Sequence, residues 1–205
     1  YNQTQTKQGP INIYPSIFMV MLGRVDDVRL VRPGSFQKSG NEVWLLEAGK
    51  DDRSYPFASV YAREFLGPEH PISQNLPYLD LDEEIKLGQA LKIALEQKLF
   101  ESIRDVCDGG VAVALAESCL ESKQGLSFDG DWSKYQRRRD YLLFHEGGGR
   151  VLVEIQPKNR AALVKWGLKH RIDTTRLGLL TEKEKFQIRP LLTGSIHELR
   201  EDWSF

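Results

Sequence analysis

The stretch IRDVCDGGVAVALAES, Ile103–Ser118, constrains this chain more than any other. Val111, Leu115 and Cys119 recur at four-residue spacing with Ala112, Ala114 and Ala116 between them, which predicts a helix that can lie close against a sheet. Two glycines precede it, and Gly109 is expected to be its first residue. The short IRDV before them is long enough for a buried strand. A strand that hands over to a helix through glycines leaves backbone N–H groups free at the helix start, an arrangement suited to an anion. The carboxylates of Asp105 and Asp108 would repel a bare phosphate. They make sense around Mg²⁺, which takes carboxylate oxygens on one side and phosphate oxygens on the other. The same residues also suit a plainer role, with Asp108 as N-cap and the glycines permitting tight packing. The pattern leaves both readings open.

Elsewhere the order of elements mixes helices and strands without strict alternation, giving an α+β class with a mixed β-sheet covered by helices. Residues 1–15, opening on the polar YNQTQTKQGP, read as a linker or loop from an upstream domain, and residues 16–205 as a single domain. Strands are expected in Ser16–Val28, Asn41–Gly49 and Arg150–Ile155, and a closing pair in RLGLLT and KFQIRPL. A helix is expected over about Leu81–Ser102, with Ile85, Leu91, Leu95 and Leu99 on its apolar face, and another over Asn159–His170.

The charge balance, 28 Lys+Arg against 29 Asp+Glu, gives no global basic field and argues against a nucleic-acid partner. The longest apolar run, IFMVML at Ile17–Leu22, is far too short to span a membrane and reads as a buried strand. The two cysteines, Cys107 and Cys119, have no metal-type spacing and point to a reducing, cytoplasmic setting. The chain starts at Tyr1 without Met or a signal pattern, as a piece of something longer would.

Other motifs take plain readings. The glycines of FHEGGGR, Phe144–Arg150, read as a flexible hairpin connection, with His145 and Glu146 solvated. Arg137, Arg138 and Arg139 read as a charged surface segment. His70, His170 and His197 lie too far apart for a metal set. Cys107 reads as a small buried thiol.

The motif DVCDGGVAVALAES resembles the DVSDGG-LAVALAE signature in the C-terminal part of the phosphoribosylformylglycinamidine synthase family (the small-type synthetase subunit), within the aminoimidazole-ribonucleotide-synthetase-like superfamily. YNQT…IYPSIFMVMLGRVDDV, LLFHEGGGRVLVEI, RIDTTRLGLLT and IHELREDW resemble further family segments, so the likeness covers nearly all of the chain. Three departures stand out. Arg104 replaces a usual His, Cys107 a common Ser, and Phe57-Ala58 and Val60 stand where two glycines and a Glu are usual, while Ser59 matches.

The resemblance implies a three-layer α/β/α domain of an ATP-dependent ligase of purine biosynthesis, which converts formylglycinamide ribonucleotide and glutamine-derived ammonia to the amidine. The family's enzyme has two similar halves. This chain resembles the C-terminal subdomain of the second half, which carries an auxiliary, structural nucleotide site. It implies ATP or ADP with Mg²⁺ as cofactors, Asp108, Gly109, Gly110 and Ser59 on the nucleotide, and Asp105 and Asp108 on the metal. It implies as partners the enzyme's N-terminal domains and a glutaminase subunit or domain, with no catalytic residue in this piece. Two alternatives remain open. One is another ATP user of the superfamily, such as a selenophosphate synthetase or a thiamine-phosphate kinase. The other is a non-catalytic nucleotide-binding or interaction module, which the altered FASV segment keeps in view.

Overall fold

The computed structural model describes residues 3–7, 9–12, 19–49, 56–130, 139–188 and 192–203. In chain order these hold β1 (Gln3–Thr6), β2 (Gly9–Asn12), β3 (Glu42–Glu47), α1 (Val60–Leu66), α2 (Pro71–Gln74), α3 (Leu81–Glu96), β4 (Ser102–Asp105), α4 (Gly110–Ser122), β5 (Gly125–Phe128), α5 (Arg139–Phe144), β6 (Arg150–Ile155), α6 (Arg160–His170), β7 (Asp173–Thr181), β8 (Lys185–Ile188), β9 (Leu192–Ser195) and α7 (Ile196–Trp203). Among the described residues, seven strands form one sheet in the order β4-β6-β3-β7-β5-β8-β9. All its pairs are antiparallel except β5 with β8, so the sheet is mixed.

The strands EVWLLE and RVLVEI are buried at every position, because successive side chains face two different helical layers. Val43, Leu45 and Leu152 join α4, α5 and the first residue of α7 in one core. Trp44, Leu46, Val151, Val153 and Ile155 join α3 and α6 in the other. The result is an α+β, three-layer α/β/α arrangement. Ala112, Ala114 and Ala116 are all buried, so α4 lies close to the sheet as its small residues suggested.

Two acids sit inside these buried strands, and each needs partners to stay charged there. Glu154 accepts hydrogen bonds from the Gln37 and Lys38 backbone N–H groups (2.6 and 3.0 Å), Asn41 Nδ2 (2.6 Å) and Ser102 Oγ (3.1 Å). Glu42 pairs with Arg160 and with Arg176, the latter at 3.0 Å. Burial works against its charge, but the hydrogen bonds from the two arginines outweigh that and hold the carboxyl below its ordinary range.

Several expectations give way. Near the start of the chain, β1 and β2 pair as an exposed hairpin of their own, with Gly9 at φ +114° opposite Thr6. The apolar run Ile17–Leu22 is no buried strand where it is described. Met19, Val20, Met21 and Leu22 are irregular and 85–97% exposed (Ile17 and Phe18 lie outside the described residues). Apolar patterning reports what a segment can bury, and among the described residues nothing covers this one. The first long helix ends at Glu96, not near Ser102, because Lys98 turns left-handed at φ +54° and drops Leu99 and Phe100 into the core. Ile85 is exposed, and the buried face of α3 is Leu87, Ala90 and Ala94. β7 and β8 do not pair, because β5 lies between them. The triple glycine joins α5 to the internal strand β6 and is no hairpin turn.

Candidate functional site at the turn into α4

β4 ends at Asp105, and the Val106 N–H donates to Arg150 O at 3.1 Å, which ties the turn to β6. Gly109 is the N-cap of α4 at φ +76°, and Gly110, at φ +68°, is the first helical residue, one position later than expected. The Gly110 N–H donates to Cys107 O at 2.9 Å. Both φ values lie where side chains are disfavoured. At Gly110 space forbids one too, since a Cβ would stand 2.6 Å from the carbonyl oxygens of both Leu143 and His145. Asp105 and Asp108 share this turn, and both are exposed. Asp108 is not the N-cap.

The cap comes from a residue that sequence reading left in solvent. One oxygen of Glu146, Oε1, accepts from the Gly109 N–H at 2.9 Å and from the Val60 N–H, at the start of α1, at 3.2 Å. His145 beside it is 2% exposed, so this segment is packed and not solvated. A carboxylate set against helix starts acts as an internal counter-charge, and here it meets an N–H group that a phosphate would use. Nothing local marks Glu146, because its partners are 37 and 86 residues away in sequence. Ser59, the matched residue of the FASV segment, caps α1. Its Oγ accepts from the Ala62 N–H (3.1 Å) and donates to Pro56 O (2.8 Å), and the residue is 1% exposed. Ala58 stands at φ +50°, where the resemblance expects glycine. Arg104, the departure from His, donates to Glu117 and Glu121 at 2.7 and 2.6 Å, along the flank of α4.

Among the described residues no three His, Cys, Asp or Glu side chains converge on one point. Asp105 and Asp108 therefore fit only a cation that completes its shell with water and phosphate, which is how Mg²⁺ is usually held.

Cys107 reaches solvent and is not the buried thiol expected; Cys119 is the buried one. Partial burial, and then the charge of Asp105, push the Cys107 thiol up, partly offset by a backbone hydrogen bond at Asp108. Asp105→Asn lowers that pKa and raises the thiolate fraction. Alkylation of Cys107 by iodoacetamide at pH 8 is expected to quicken about two- to fivefold in this variant. An unchanged rate would mean that the Asp105 carboxylate does not face the turn.

Residues 40–189 match the family described as AIR synthase related protein, C-terminal domain. Among curated proteins, the PurL subunit of phosphoribosylformylglycinamidine synthase from Thermosynechococcus vestitus is 30% identical over 99% of this chain and 28% of its own length. The PurL subunit from Prochlorococcus marinus (strain AS9601) is 35% identical over 76% of this chain and 19% of its own length. The chain thus spans about a quarter of the length of such relatives. PurL of Thermotoga maritima, solved in complex with ATP, superposes with a TM-score of 0.64 at 15% identity over 83% of this chain and 27% of that one. HypE of E. coli, a hydrogenase maturation protein, superposes with a TM-score of 0.54 at 12% identity over 80% of this chain and 51% of that one. At these identities the superpositions speak for the fold.

Proposed function

Because this chain belongs to the family of AIR synthase related C-terminal domains, we propose that it serves as the C-terminal domain of a phosphoribosylformylglycinamidine synthase in the cytoplasm. The reaction proposed for the whole enzyme is ATP-dependent. The amide oxygen of formylglycinamide ribonucleotide is phosphorylated, and ammonia released from glutamine by a glutaminase subunit or domain displaces the phosphate. This domain supplies scaffold and one wall of an auxiliary nucleotide site closed by the enzyme's other domains.

The observation that carries the reading is the turn itself. Asp105 and Asp108 are exposed beside a left-handed Gly109-Gly110 pair, and at Gly110 the neighbouring carbonyls leave no room for a side chain. A bound Mg²⁺ would neutralise polyphosphate charge there. Asp105 and Asp108 would hold it, Gly109 and Gly110 would let phosphate oxygens approach the backbone, and Ser59 would position the facing α1. Since one domain offers one wall, this chain alone is expected to form no amidine from ATP, ammonia and formylglycinamide ribonucleotide. Amidine formation by the chain alone would overturn the assignment.

A second reading, a scaffold or interaction module that binds no nucleotide, is favoured by Glu146. Its carboxylate already occupies the Gly109 N–H.

A further inference from the structure

The run Ile17–Leu22 is apolar at six successive positions. A strand that is apolar on both faces belongs inside a sheet covered on both sides. The strands β3 and β6 show what that setting does in this domain, since they are buried at every position. Met19, Val20, Met21 and Leu22 are instead 85–97% exposed. We infer that Met19–Leu22 is an internal strand donated by this chain to the sheet of another domain. The inference rests on the reading above that the chain is one domain of a longer enzyme.

The domain's own sheet has no such place for it. At the β4 edge the Ile103 N–H already donates to Pro33 O at 3.0 Å, and Arg104 Nε donates to Gly34 O at 3.4 Å. At the other edge, β9 exposes Leu192 and Thr193 and only half-buries Gly194 and Ser195, so a strand added there is not covered on both faces. The chain is fastened to the domain from Arg32, whose Nε donates to Phe100 O at 2.8 Å. Ahead of the run, β1 and β2 form a separate two-stranded sheet, exposed at nearly every position. An isolated hairpin is only marginally stable in water, and a neighbouring body steadies it. The charges that follow the run cancel among themselves. Arg24 pairs with Asp26 at 2.7 Å and Arg29 with Asp27 at 2.8 Å, which leaves no basic patch for a lipid surface or a nucleic acid. What remains is an apolar strand whose backbone gains partners by strand addition and whose two faces gain cover.

The experiment compares the whole enzyme with this chain alone, each carrying Met21→Cys. The introduced thiol is alkylated with iodoacetamide and followed by mass spectrometry of its peptide. It is expected to react freely in the chain alone and at least about a hundredfold more slowly in the whole enzyme. Met21→Asp separates docking from the folding of this domain. In the chain alone the residue is 93% exposed, so the thermal midpoint should stay within about 1 °C. The whole enzyme should lose about 5 °C or more, or fail to assemble, because the carboxylate enters a dry sheet.

Equal alkylation rates in the two proteins overturn the inference. So does a chain that dimerises in analytical ultracentrifugation and protects the thiol by itself, since a second copy is then the occupant. Amidine formation by the whole enzyme is measured alongside. A protected thiol in a whole enzyme that forms no amidine keeps the donated strand and removes the functional reading. Amidine formation with the thiol as reactive as in the chain alone keeps the functional reading and removes the strand.

Discussion

Gly110→Ala is expected to destabilise the domain by about 2–5 kcal/mol, a large share of the roughly 5–15 kcal/mol that folded domains have. Placing alanine at φ +68° costs about 1–2 kcal/mol in backbone strain alone. Its Cβ would also stand 2.6 Å from two carbonyl oxygens, Leu143 O and His145 O, neither of which can rotate away as a side chain would. Relief requires α4 to move off α5, and overpacking of this kind costs about 1–3 kcal/mol. Gly109→Ala provides the comparison. Its φ is similar at +76°, but its Cβ meets the Val113 side chain, which can rearrange, so about 1–2 kcal/mol is expected. Urea denaturation of the two variants checks the ranking. Equal losses would mean that the close approach of α4 to the α5–β6 connection is not what requires glycine at Gly110.

Glu154→Ala is expected to cost about 3 kcal/mol or more. Its carboxylate is wholly buried and receives four donors, three of them from the segment Gln37–Asn41 that leads into β3. Hydrogen bonds to charged groups are worth about 1.5–3 kcal/mol each, and every buried donor left unmatched costs about 1–3 kcal/mol before relaxation. Glu154→Gln keeps one acceptor oxygen but turns an NH₂ group toward donors, so an intermediate loss of about 1–3 kcal/mol should follow. Urea midpoints with unchanged slopes would attribute the loss to the folded state. A loss below about 1 kcal/mol for Glu154→Ala would mean that water replaces the carboxylate at little cost.

What could be read in the sequence was local. The periodicity of Val111, Leu115 and Cys119 located α4 to within one residue, and RVLVEI and the α6 segment were equally plain, because each pattern is completed within a few turns or pleats. The stretch around Asp105–Gly110 was legible as a strand-to-helix turn, and β4 does hand over to α4 there. Relations between distant segments were not legible. β5 enters between β7 and β8 through pairings that no local pattern encodes. Glu146 reaches Gly109 and Val60 only because the α5–β6 connection packs against α4, and a lone His–Glu pair before glycines gives no sign of that. Met19–Leu22 carries a strand's composition, but whether it is buried depends on what lies over it, which its own residues do not specify.

Whether the turn holds a nucleotide through a cation is tested most directly by calorimetric titration of ADP into the whole enzyme with its reaction-site nucleotide contacts disabled, with Mg²⁺ or with EDTA, for the native protein and Asp108→Asn; the chain alone, with one wall of the site, is expected to bind weakly or not detectably. Without the cation, each carboxylate within about 4–6 Å of the polyphosphate opposes it by about 3–4 kcal/mol at an effective dielectric near 20; with it the sign reverses. Binding should require Mg²⁺ and weaken at least tenfold, about 1.4 kcal/mol, in Asp108→Asn. Equal affinity in all four conditions, or no binding in any of them, would contradict the account and leave the two aspartates as exposed turn residues beside a helix start that Glu146 caps.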